Sequence, residues 1–402
     1  MIPEPKRIDL SFQWLSFQSL SPYLRREPVT VALLTGLTIV LFLAVGGLSR
    51  LYHAQQASLA VRWAGRGVDD LNADHYKVAI TDFRTALLYD RDNGAYQLSL
   101  AQALLGLGRT DEAYAYLINL WGRQPENGVV NLELARIAVS KGETDRALRF
   151  YHNAIYATWP GDQEIERRKA RLELIDYLLR IDARTQAESE LIALEANVGE
   201  NAAQQALLGD LFLRVGDDGR ALAAFRASLK LEKKNPAAEA GAGRAAFEMG
   251  QYAEAEHFLE EAVAAAPADA SSAELLKTTE AAIRMDPFRP QIPDRERGQI
   301  VMDAFATAGD RLKTCQAGAA SAPMPGKKPA AGSPIAAWQQ LAGQWAALKP
   351  QVTEKALRDN PDLVNTAMNL AFAIEHAAGA TCGPATGADQ ALLLIAGQHQ
   401  EN

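Results

Sequence analysis

An alanine recurs along this chain at near-constant spacing: Ala79, Ala113, Ala147, Ala187, Ala221 and Ala255. Four of the five steps are 34 residues (113 − 79 = 34, for example), and one is 40 (187 − 147). The surplus falls in "TWPGDQ", residues 158–163. Other positions keep the phase. A glycine stands five residues before the anchor at Gly108, Gly142, Gly216 and Gly250, and Tyr76 and Tyr252 stand three before it. Four residues after it stands a bulky side chain: Phe83, Leu117, Tyr151, Leu191, Phe225 and Leu259. Twelve before it the residue is small in most units, at Gly67, Ala101, Ala135, Gly209 and Gly243. A period of this length marks an array of small supersecondary units, each unable to bury its apolar face alone.

The spacing predicts two antiparallel helices per unit, with the glycine in the turn between them. Period and residue type together resemble the tetratricopeptide repeat family, in about six units. The resemblance implies that a small residue lies at each helix crossing and that the bulky residue fills the groove toward the next unit. A leucine at Ala255 would force the pair apart, at a cost of about 1–3 kcal/mol. The unit around Ala187 departs from the pattern, because it lacks the turn glycine. After Ala255 the next anchor would be Arg289, and there the pattern ends. The stretch 271–287 reads as a capping helix, started by Ser271 or Ser272 and stopped by Pro287, with Lys277 and Glu280 on a polar face.

Val29–Leu48 is a run of twenty residues without a charge, about 30 Å as a helix, which matches a bilayer core. It reads as an uncleaved single-span anchor. Lys6, Arg7, Arg25 and Arg26 precede it, and Arg50, Arg62 and Arg66 follow. That slight excess favours a cytoplasmic N-terminus and an extracytoplasmic bulk. Ala32 and Gly36 have the small-xxx-small spacing that lets a second helix approach in lipid. Upstream, residues 10–24 carry Phe12, Trp14, Phe17 and Tyr23 and no charge, as suits a membrane-surface helix or a contact with another membrane subunit.

The fold class is therefore all-α: one transmembrane helix, a repeat solenoid and a small helical C-terminal domain. The expected boundaries are 1–27 for the interfacial segment, 28–49 for the span, 50–269 for the solenoid and 270–295 for the capping helix and connector. The C-terminal domain takes 296–402, with a Pro/Ala/Gly linker at 316–334. Its helices are expected near 296–315, 335–347 and 361–378, followed by a last apolar one. Leu363, Ala367, Leu370, Ala371 and Ile374 form one stripe. The chain's two cysteines, Cys315 and Cys382, are expected to form a disulfide in an oxidising compartment.

No catalytic constellation emerges. The six histidines share no ligand spacing, and no metal or cofactor is expected. "GAGRAA" at Gly241–Ala246 has a dinucleotide-binding spelling, but it falls on a repeat helix instead of after a strand. The net charge of −8 argues against nucleic acid. The expected partners are other proteins and, through one span, the bilayer, with no small-molecule substrate. The resemblance implies that the first helix of each unit faces a partner groove. At its ninth position stand Gln102, Arg136, Asp176, Asp210 and Arg244, and at its thirteenth Asn72, Ser140, Arg180, Arg214 and Glu248. Arginine suits carboxylate capture by paired hydrogen bonds. These expectations favour a scaffold or assembly factor, with a permanent subunit of a membrane complex as the alternative. An enzyme with its site in the C-terminal domain ranks third.

Overall fold

The computed structural model describes residues 28–320 and 334–401. Among them every regular element is a helix, and one isolated bridge joins Asn127 and Thr158. The chain divides into two compact units, meeting at Ala170 and Arg171.

The first unit begins with α1 (Pro28–Asn72), 45 residues without a break. Residues 31–48 are exposed throughout, and this helix is long and apolar enough to cross a membrane. From Ala60 onward the same helix is the first member of repeat one: Ala60, Ala64 and Gly67 are buried where α2 (Tyr76–Tyr89) lies against it. No turn separates the apolar stretch from the repeats. The helix pairs α3 (Gly94–Gly106) with α4 (Thr110–Arg123), and α5 (Gly128–Ser140) with α6 (Thr144–Tyr156), follow. The inserted loop folds back on the third pair. Gly128 N donates to Thr158 O at 3.0 Å, and the buried Trp159 lies so close to Gly128 that a Cβ there would sit 2.3 Å from the indole.

The loop leads into α7 (Gln163–Arg180), within which the second unit begins. It continues with α8 (Arg184–Glu195), then α9 (Ala202–Val215) with α10 (Asp218–Leu231), and α11 (Pro236–Glu248) with α12 (Tyr252–Ala265). The small and large positions fit together as expected in kind, with one correction. A Cβ on Gly67 would lie 2.9 Å from Phe83, one on Gly209 2.9 Å from Phe225 and one on Gly243 2.6 Å from Leu259. The bulky residue therefore packs on the first helix of its own unit. Phe225 also reaches the next unit, where a Cβ on Gly241 would meet it at 2.3 Å. The six anchor alanines are fully buried.

The unit without a turn glycine is regular after all. Gly108, Gly142, Gly216 and Gly250 have φ of +79°, +70°, +88° and +69°. Asp74 and Asp182 occupy the same repeat position, with φ of 58° and 57°. Aspartate is among the few side chains that tolerate this left-handed turn.

Helix α13 (Ala270–Met285) is capped by Asp269, not by a serine. The Asp269 carboxylate accepts from the N–H of Ser271 at 3.0 Å and from the Ser272 hydroxyl at 2.6 Å, bonds that hold its pKa down at about 2. The repeat phase also runs one helix further than the alanines indicate. Asn93, Asn127, Asn201, Asn235 and Asp269 each cap a first helix, and 269 − 235 = 34.

The remaining helices are α14 (Asp294–Ala320), α15 (Pro334–Leu348), α16 (Glu354–Asp359), α17 (Pro361–Thr381) and α18 (Ala388–Glu401). Helix α14 continues to Ala320, beyond the expected start of the linker, and α16 was not expected. On α17, Leu363, Ala367, Ala371 and Ile374 are buried and Leu370 half-buried. Trp345 anchors α15: it stacks on Phe305, fits over Gly309 and donates from Nε1 to Phe305 O at 3.1 Å. Cys315 and Cys382 are joined in a disulfide, Cα to Cα 5.7 Å. Helix α18 returns to the repeats and lies along α13, so the capping helix is covered instead of ending the array in solvent. There the Tyr252 hydroxyl donates to Leu394 O at 3.3 Å, and the Gln398 amide donates to Gly250 O.

Candidate protein-binding face

First helices sit beside first helices: α1 beside α3 in the first unit, and α9 beside α11 in the second. Each presents its ninth and thirteenth positions away from the partner helix that buries the small residues. In the first unit, Gln102 on α3 is half-buried, while Arg136 and Ser140 on α5 and Asn72 on α1 are exposed. Arg136 pairs with Glu133 on its own helix at 3.1 Å.

In the second unit, Asp176, Arg180, Asp210, Arg214, Arg244 and Glu248 are all exposed on α7, α9 and α11. Asp176 lies 3.2 Å from Arg180 on its own helix and 3.5 Å from Arg214 on the next first helix. Three of the four arginines expected to capture a carboxylate thus already hold one, Arg136 on Glu133 and Arg180 and Arg214 on Asp176. Arg244 and Asp210 have no hydrogen-bond or ion-pair partner among the described residues. Exposed pairs of this kind contribute at most about 1 kcal/mol each, so an incoming group can replace them at little cost.

The second helices are linked by charge as well. Arg84 pairs with Glu112 at 3.1 Å, and Arg226 pairs with Glu254; both links join successive second helices at the same repeat position (112 − 84 = 254 − 226 = 28). Lys141 reaches back to Asp111 at 2.8 Å, a bond that lowers the Asp111 pKa.

One recurrent polar position escaped the sequence reading. Sixteen residues before the anchor, a side-chain amide donates to the backbone oxygen six residues earlier: Gln97 to Arg91 O at 2.9 Å, Asn131 to Pro125 O at 2.7 Å and Gln205 to Gly199 O at 3.4 Å. Each closes the loop that enters its repeat. In the last unit the position holds Glu239, which is buried, has no hydrogen-bond partner for Oε2 among the described residues and has its pKa raised by desolvation. The signal was legible as polar residues at a constant offset from the alanines.

Of the remaining candidates, Ala32 and Gly36 lie on the exposed apolar part of α1. Phe12, Trp14 and Phe17 fall outside the described residues. Gly241–Ala246 lies inside α11.

A tetratricopeptide-repeat family model matches residues 104–158 and 213–278, and a second model of the same repeat matches 65–127. Over residues 65–158 and 213–278 the chain carries tetratricopeptide repeats. No curated protein matches it. Solved structures with a likeness to it include YrrB, a TPR protein with an unusual peptide-binding site, at 14% identity and a TM-score of 0.39, over 48% of this chain and 96% of that one. The C-terminal part of a TPR repeat-containing protein from Cytophaga hutchinsonii follows at 14% and 0.44, over 59% and 92%. Pseudomonas aeruginosa pilF stands at 16% and 0.33, over 47% and 84%. Likenesses this loose carry nothing further about this chain.

Proposed function

We propose that this repeat protein is a membrane-anchored scaffold, or assembly factor, that binds other proteins through its first-helix face. The observation that carries the reading lies on the first helices, where Arg244 and Asp210 have no ion-pair partner among the described residues and the pairs that do form are exposed and replaceable. The proposed partner surface comprises Gln102 and Arg136 in the first unit and Asp176, Arg180, Asp210, Arg214 and Arg244 in the second, and the arginines favour an acidic partner segment. Replacing Arg136, Arg180, Arg214 and Arg244 with alanine is expected to weaken partner capture from native membranes with helicity unchanged. Full capture by a well-folded quadruple variant would overturn this assignment.

The exposed apolar stretch of α1 supports the anchor. The joined cysteines support an extracytoplasmic bulk, since disulfides persist in oxidising compartments. Free alkylation of both thiols in unreduced lysate would argue for the cytoplasm. The alternative is a permanent accessory subunit, held by residues 10–24 and by Ala32 and Gly36 of the span. Mild detergent extraction separates the two readings: a subunit leaves with stoichiometric partners, and a scaffold leaves mostly alone. Deleting residues 1–24 would release only a partner docked on Phe12, Trp14 and Phe17.

A further inference from the structure

Glu375, on α17, is fully buried, and neither carboxyl oxygen has a hydrogen-bond partner among the described residues. Two charged groups face it. Arg311 comes from α14, and its Nε is itself buried without a hydrogen bond. Asp389 comes from the first turn of α18 and lies 3.8 Å from Arg311 Nε. Arg311 also donates to Gly383 O at 2.9 Å, in the loop that leads into α18. From α15 nothing ionisable faces Glu375, since that helix carries no charged residue. The charges of α16 belong to the other end of α17, next to Pro361. One guanidinium therefore serves two carboxyl groups. With Glu375 neutral, Arg311 and Asp389 balance. With Glu375 ionised, two negative charges, one fully buried and one half-buried, share one counter-ion.

The disulfide decides which neighbour yields. Cys315 is one turn beyond Arg311 on α14, and Cys382 follows the end of α17, so those two helices are covalently tied. Helix α18 is held by packing, by its short loop and by its bonds to the last repeat at Leu394 and Gln398.

We propose that α18 is a proton-controlled latch, in which ionisation of Glu375 repels Asp389 and loosens α18 from the last repeat and α13. Burial, with the Asp389 charge adding to it, raises the Glu375 pKa from the ordinary 4.5 to about 7. For an acid whose pKa is raised in the docked state, docking is strongest below the ordinary value. It weakens as pH rises toward the docked value and levels off above it. The opening equilibrium should therefore rise about tenfold per pH unit through that window.

The test is hydrogen exchange of residues 388–399 in the full chain in detergent, corrected for intrinsic rates, between pH 5 and 8. Protection should fall across that range while the repeat helices stay protected. Glu375→Gln should keep α18 protected to pH 7.5. Asp389→Asn should move the midpoint down, and Arg311→Met should move it up. If Glu375→Gln fails to fold, the two opposite shifts still decide the matter. A pH-independent α18, an unaltered profile in Glu375→Gln, or shifts of the same sign in the other two variants would each overturn the latch.

Discussion

The repeats and the C-terminal bundle are both all-helical, yet they are held together by different means. In the repeats, glycine or alanine on one helix receives a large side chain from its partner, and the match recurs from unit to unit: Gly67 with Phe83, Gly209 with Phe225, Gly243 with Leu259. In the bundle nothing recurs. Trp345 fits over Gly309 once, a single disulfide ties α14 to α17, and a carboxyl group is buried with no hydrogen-bond partner among the described residues. Repetition distributes stability over many small complementary contacts, whereas the bundle concentrates it in a few singular ones.

The sharpest way to break the repeat side of that contrast is Phe225→Ala. The ring fills space between Gly209 and Gly241, two residues that cannot expand to close the gap, so a loss of about 3–5 kcal/mol is expected in urea unfolding. On the bundle side, Cys315→Ser with Cys382→Ser removes a link of sequence separation 67 and should cost about 2–4 kcal/mol. Limited proteolysis should then open α14–α17 first and leave α9–α12 intact. Ala255→Leu overfills a fully buried crossing and should cost about 1–3 kcal/mol by thermal unfolding.

The smallest effect has the opposite sign. Glu239→Gln supplies the donor that Gln97, Asn131 and Gln205 use, and should stabilise by about 1 kcal/mol. Because burial raises the Glu239 pKa, its contribution is best at low pH and is lost as pH rises toward the folded value. The gain from glutamine should therefore be larger at pH 7 than at pH 4. Equal gains at both would place the effect in side-chain shape instead of charge.

The comparison also explains what could be read from the chain without coordinates. A repeat position is sampled six times, so chance residues average out, and the anchors, turns and bulky positions stood clear. Asp182 looked like a defect because a search for glycine is a search for identity, while the fold requires only a backbone conformation that aspartate also reaches. The asparagine caps and the position of Gln97 are as periodic as the alanines, but an alignment on apolar residues alone does not show them. On the candidate face, exposure of the arginines followed from phase, but the hold of Asp176 on Arg180 and Arg214 depends on how α7 meets α9. Glu375 gave no signal, since its burial is created by α14 and α18 from distant parts of the chain.

The uninterrupted course of α1 has a rotational consequence. On the membrane reading, residues 49–59 join the apolar stretch to the first buried contact at Ala60, with no turn to absorb a change. Each residue of an α-helix adds about 100° of rotation and about 1.5 Å of rise. Inserting or deleting one residue in this segment would swing the first repeat about a quarter-turn around the membrane normal while hardly altering its height. Seven would nearly restore the bearing, about 10 Å further out. On that reading the length of this segment is thus a compass setting for the first repeat.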